Sequence, residues 1–146
     1  MIKREISRTD LISNDEYGAV RAERKRLVSI VKKERRISVG PDATFYFESF
    51  DTMLHQVQEM LYIERGGEDQ VNDELNAYNS LIPNGRELVA TLMFEIDNAQ
   101  RRADFLAGLG GVENTVKLML DSDTISGIPE MEVQRTDDSG KASSIH

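Results

Sequence analysis

Apolar and polar positions along the chain change their period near its midpoint, and that change organises everything else. Tyr17, Val20, Leu27, Val28 and Val31 recur at three- and four-residue steps, the signature of a helix face. Arg24 interrupts this stripe. Ser13 and Asn14 are candidate N-caps, and Asp15 and Glu16 fill the first turn, where the helix dipole favours negative charge. The spacing predicts a helix from there to about Arg36. Ile37-Ser38-Val39 then alternates, Gly40-Pro41 breaks the chain, and Thr44-Phe45-Tyr46-Phe47-Glu48 has aromatic strand character, so a short hairpin is expected. Ser49 or Asp51 caps a second helix carrying Met53, Leu54, Val57, Met60 and Leu61, which Gly66-Gly67 should stop. A third helix over Glu68 to Leu81 places Val71, Leu75 and Tyr78 on one side, and Pro83-Asn84-Gly85 is a turn.

Beyond that turn the period drops to two. Leu88, Ala90, Leu92, Phe94 and Ile96 alternate with Glu87, Val89, Thr91, Met93 and Glu95, which predicts a long strand over Arg86 to Asp97 with one buried face. Asn98 to Leu109 reads as a helix burying Phe105, Leu106 and Leu109. Thr115 to Leu120 reads as a strand expected to flank the one at Leu88 to Ile96. Asp121 to Gly127 reads as a loop, Glu130 to Arg135 as another strand, and Asp137 to Gly140 as a tight turn. Helices mainly in the N-terminal half, packed on an antiparallel sheet formed mainly by the C-terminal half, make the fold class α+β. The expectation is one domain over 1–146, with 1–10 and 136–146 loose.

Composition narrows the chemistry. None of the 146 residues is cysteine, which excludes disulfides, thiol nucleophiles and thiolate metal sites. No apolar run approaches the length of a membrane span, and the first residues lack the apolar stretch of a secretory signal, so a cytoplasmic chain with no membrane association is the default. The net charge of −8 is distributed unevenly. Eight basic and two acidic residues between Arg21 and Arg36 give that segment +6, against −14 for the rest. One reading is a helix face that docks an acidic partner or a phosphate; the other is a solvated face balanced by acidic surface of the same protein or a second copy. Aromatic interleaving is missing from this run, which argues against nucleic acid.

Candidate chemistry is sparse. His55 and Glu59 stand four apart on the second helix, where two side chains share a face, and are the only metal candidates worth naming. A dinuclear carboxylate site wants Glu-x-x-His on two helices, and the chain has none, so neither metal nor another cofactor is expected. Gly108-Leu109-Gly110-Gly111 follows a helix instead of a strand, a helix stop and not a dinucleotide loop. No catalytic residue is assigned. The strand after Pro83 has a second face with Val89, Thr91 and Met93, and the chain ends where a further strand would cover an edge; together these predict a homodimer.

The chain also resembles a known family. The residues that carry the resemblance are Leu11-Ile12-Ser13, Tyr17, Arg21, the run Lys32 to Ile37, Val39-Gly40-Pro41, Phe47-Glu48, Asp51-Thr52, Gln56 to Leu61, Glu64, Glu74-Leu75, Tyr78-Asn79, Leu81 to Pro83, Leu88, Ala90-Thr91-Leu92 and Glu95-Ile96. They are similar to an uncharacterised bacterial family, the domain of unknown function numbered three-five-zero-one, most distinctively in Gln-x-Gln-Glu-Met-Leu at 56–61. The resemblance implies one more apolar strand after Lys141 to His146. It also implies an accessory role in redox or peroxide handling beside a redox protein partner, because similar proteins are often encoded next to rubrerythrin-like proteins and oxidoreductases. The expected function is a non-catalytic binding or accessory module, with Arg24, Arg35, Arg36, Glu48, Gln56, Glu59 and Glu64 as the binding residues. The alternative is an enzyme or metal-binding protein using a carboxylate/His cluster. Arg35 and Arg36 are expected near Glu48, Glu59 or Glu64, since buried charges need partners.

Overall fold

The computed structural model describes residues 2–130 and 135–146. The elements run α1 (Asn14–Lys33), β1 (Arg36–Val39), β2 (Ala43–Phe47), α2 (Phe50–Glu64), α3 (Glu68–Asn79), β3 (Ala90–Phe94), α4 (Ala99–Ala107), β4 (Lys117–Leu120) and β5 (Asp123–Ser126), with 3-10 turns at Arg8–Asp10 and Val112–Asn114. This is an α+β chain with two antiparallel sheets. It divides into two compact units: residues 1–36 with 46–90, and residues 37–45 with 91–146.

The first unit is helical, and its helices begin where side chains can satisfy the orphan amides of a first turn. Ser13 Oγ accepts from the Glu16 amide while Glu16 returns a bond to the Ser13 amide. Ser49 and Thr52 repeat the exchange at the start of α2. That helix stops one residue before the glycine pair, because Arg65 itself turns left-handed at φ 52° and donates to the Leu61 carbonyl. The core gathers Met53, Val57 and Leu61 of α2 with Ile6 and Ile82, and Val71, Leu75 and Tyr78 of α3 pack against it. Two side-chain amides bind the N-terminal segment as a peptide would. Asn79 pairs with both main-chain groups of Ile6, and the buried Gln58 with both of Ile12.

The stripe on α1 departs from expectation. Only Tyr17 is buried; Val20, Leu27 and Val31 remain 40%, 48% and 39% exposed. The helix therefore meets α2 through one tyrosine and the polar groups near it, and keeps an apolar strip at its surface.

The second unit holds most of the three-stranded sheet, in order β1-β2-β3, and the separate β4-β5 hairpin. Leu92 and Phe94 alternate inward from β3 and join Leu106 and Ala142 in a small core, with the Phe94 and Phe105 rings 5.9 Å apart. The expected partner of this strand is corrected. β4 pairs with β5 in the register Lys117↔Ser126 to Leu120↔Asp123, not with β3. Asp121 takes φ 50° at the turn, so the chain folds back at once and the stretch expected as a loop is a strand. Beside β3 instead run the last residues: the Leu92 amide donates to the His146 carbonyl at 2.7 Å, the His146 amide to Leu92 at 2.8 Å, and Met93 bridges Ile145. Most of the strand expected over Glu130 to Arg135, residues 131–134, lies outside the described residues. Among the described residues no helix is long and apolar enough to cross a membrane.

Candidate functional site

The basic run of α1 reaches two different environments within the first unit. Its N-terminal part closes on Glu59, a carboxylate that is 8% exposed. Arg21 donates to it twice, Nε to Oε2 at 2.8 Å and Nη2 to Oε1 at 3.2 Å, and the fully buried Tyr17 hydroxyl donates to Oε2 at 2.8 Å. Lys25 Nζ stands 3.9 Å from Oε1. The Arg21 hydrogen bonds, helped by Tyr17, outweigh desolvation and hold the Glu59 carboxyl below its ordinary range. Burial, and then the bond to Glu59, push the Tyr17 hydroxyl well above its ordinary pKa. The guanidinium groups of Arg21 and Arg65 both lie over the Tyr62 ring, at 4.8 and 4.9 Å from its centroid, and the ring meets Tyr17 edge-on. Gly18 makes room for it: a Cβ there would stand 3.2 Å from the Tyr62 ring.

The C-terminal part of the run lines an open groove of about 280 Å³. Lys25, Lys32 and Lys33 of α1 and Arg36 supply its cations; Ser29 and Tyr46 supply hydroxyls; Val28 and His55 complete the wall. No carboxylate lines it, and Lys32, Lys33 and Arg36 make no ion pair among the described residues. A second groove of about 200 Å³ shares Val28 and His55 and adds Leu27, Leu54, Arg24 and Asp51. His55 thus stands where the two meet. Its Nδ1 is buried with no hydrogen-bond partner. Desolvation, reinforced by Lys32, Lys25 and Arg24, lowers its pKa against the opposing pull of Glu59.

The residues expected to form one site are dispersed among several roles. Arg24 and Arg36 line the two grooves. Arg35 reaches main chain, Nε to the Phe47 carbonyl at 2.9 Å and Nη2 to the Glu48 carbonyl at 3.1 Å, so it ties the end of α1 to β2. Glu48 is buried and accepts from the Thr52 hydroxyl, a contact that starts α2. Glu59 belongs to Arg21. Glu64 is exposed and accepts from Gln70 at 2.9 Å. Gln56 is half-buried, whereas its neighbour Gln58 carries the clamp on Ile12. Of the metal candidates, His55 and Glu59 share a helix, but Glu59 is already held by Arg21 and Tyr17. Among the described residues no group of three or more His, Cys, Asp or Glu side chains is placed to hold a metal ion. Sequence reasoning missed Ser29, Tyr46 and the particular lysines of the groove. The charge run contained the lysines, and the aromatic strand contained Tyr46, but nothing local joined them.

Comparison with known proteins places the chain in a family. The family model described as "Protein of unknown function (DUF3501)" matches residues 5–146. A crystal structure of a novel protein of unknown function from Burkholderia pseudomallei K96243, at 1.90 Å resolution, is similar at a TM-score of 0.86 and 35% sequence identity, covering 97% of this chain and 74% of that one. Among curated proteins, none matches.

Proposed function

Given that the chain belongs to the DUF3501 family, a family of unknown function, we propose that it is a non-catalytic binding module whose working surface is the cationic groove, which takes an anionic ligand. The carrying observation is the groove's lining: four cationic side chains, two hydroxyls and no carboxylate around one cavity. Cations crowded this way repel one another, and a bound anion relieves that repulsion while gaining charge-assisted hydrogen bonds. The surrounding chain is acidic, so the groove is a local reversal of sign and selects for orientation as well as charge. An accessory role beside a redox partner is compatible with this surface, and the partner would bring the redox centre, because the chain has no cysteine to hold one.

The test is isothermal titration of inorganic pyrophosphate at low ionic strength, on the wild-type chain and on a Lys32→Glu/Arg36→Glu variant. Binding that weakens with added salt and disappears in the variant supports the reading; no binding, or binding indifferent to both changes, refutes it. A second reading, a metal site, rests on the unpartnered Nδ1 of His55. Zinc titration of wild type against His55→Gln separates it from anion binding.

A further inference from the structure

The cationic groove does not end at its charges. It shares Val28 and His55 with the second groove, whose remaining wall is Leu27, Leu54, Arg24 and Asp51. Leu27 is 48% exposed, on the same strip of α1 that fails to bury its apolar side chains. The pair of grooves therefore has a polar end with Lys32, Lys33 and Arg36 and an apolar stretch with Leu27, Val28 and Leu54. Resting on the anion-binding reading, we infer that the ligand is a small soluble amphiphilic anion: a phosphate-type dianion bound at the cationic end, with an apolar body of a few carbons along the apolar stretch.

Three features carry this. First, the unpaired cations outnumber the single charge of a carboxylate. A phosphate monoester offers two charges and three terminal oxygens to Lys32, Lys33, Arg36 and the nearby Ser29. Second, the adjoining volumes of about 280 and about 200 Å³ together reach the lower range of small-molecule sites. Third, the apolar stretch adjoins the cations through shared residues, so head and body can be satisfied by one molecule. Apolar surface that contacts a ligand on one side only yields part of the free energy of full burial, so each methylene should tighten binding by about twofold against roughly fourfold for complete burial.

The experiment titrates the full chain with inorganic phosphate, ethyl phosphate, hexyl phosphate and hexanol. Hexyl phosphate should bind roughly 60-fold tighter than inorganic phosphate, given that increment, with ethyl phosphate between them and hexanol undetected. Leu27→Ser, at an exposed position, should reduce the chain-length dependence, weakening hexyl phosphate more than inorganic phosphate. Lys32→Glu/Arg36→Glu should abolish binding of every phosphate. Equal affinity for inorganic and hexyl phosphate overturns the amphiphile but leaves the anion-binding reading standing; failure of all anions, pyrophosphate included, overturns both. Hexanol binding as tightly as hexyl phosphate overturns the head-group assignment. Binding to phosphatidate vesicles that hexyl phosphate cannot displace overturns the soluble ligand in favour of a membrane surface.

Discussion

The two ends of α1 carry the same kind of charge and use it differently. Near its N-terminal end, Arg21 is bound to a buried carboxylate by two hydrogen bonds, and a tyrosine hydroxyl completes the cluster. About three turns later, Lys32 and Lys33, with Arg36 just beyond the helix, face an open groove with no ion pair among the described residues. Lys25 belongs to both, since it approaches Glu59 and lines the groove. Basic residues on a helix are therefore not one feature. Where a partner is fixed by packing, the charge supports the fold, and its loss leaves a buried group stranded. Where none is fixed, folding gains little from the charge, and it is available for something else.

The largest effect expected from this contrast is at Glu59. Glu59→Ala leaves the Arg21 guanidinium and the Tyr17 hydroxyl without their acceptor and should destabilise the chain by about 3 kcal/mol, the range for breaking one side of a buried pair. Urea denaturation checks it. A cost no greater than that of a surface carboxylate would erase the distinction between the two ends. The next effect is on pH. The folded Glu59 carboxyl titrates below its ordinary 4.5, so the stability it contributes is complete above that pH and is lost as the pH falls through the folded value. Glu59→Gln should flatten that acid limb of the stability profile. A limb of unchanged steepness would assign acid sensitivity to other carboxylates.

His55 sharpens the comparison from the groove side. Its folded pKa lies below 6.5, chiefly through desolvation. As the pH drops through 6.5, the unfolded chain takes up the proton first, so stability falls until the folded value is reached and rises again with pH across the same window. His55→Gln should remove this dependence, in thermal unfolding scans between pH 7 and 3, and leave the Glu59 limb below pH 4.5 in place. A profile unaltered by the substitution would mean that the His55 ring is solvated in the folded chain.

These features differ in how readable they were before the structure. Helical spacing gave α2, with its Ser49 cap, and α3, because their apolar faces do go inward. It gave α1 too, but there the same spacing describes a mostly exposed strip, since periodicity records which face is apolar and not what covers it. β3 was legible from Leu92, Phe94 and Ile96, but its neighbours were not: strand pairing is decided by turns, and the turn at Asp121 was hidden in a polar stretch with one apolar residue, Ile125. The charge excess from Arg21 to Arg36 was plain. Its division was not, because Glu59 lies 38 residues from Arg21 in the chain and the i,i+4 spacing of His55 and Glu59 suggested a different use for that carboxylate. Arg35 shows the same limit, its partners being carbonyl groups, which no pattern of side chains announces.

The smallest effect on stability is expected where the effect on binding is greatest. Lys32→Glu/Arg36→Glu removes two cations that have no fixed carboxylate and replaces them with charges attracted to Lys25 and Lys33. The change in unfolding free energy should stay within about 0.5 kcal/mol, as for surface charges generally, and its sign should be stabilising at low salt. Added salt screens the same repulsion, so the wild-type chain should gain more stability than the variant between low and moderate ionic strength. The measurement is a pair of urea titrations at two salt concentrations. A variant destabilised as much as Glu59→Ala would show that these cations support the fold after all, and the two ends of α1 would then be alike. Near-neutral stability, together with lost pyrophosphate binding, is the result that separates a charge held for the fold from a charge held for a ligand.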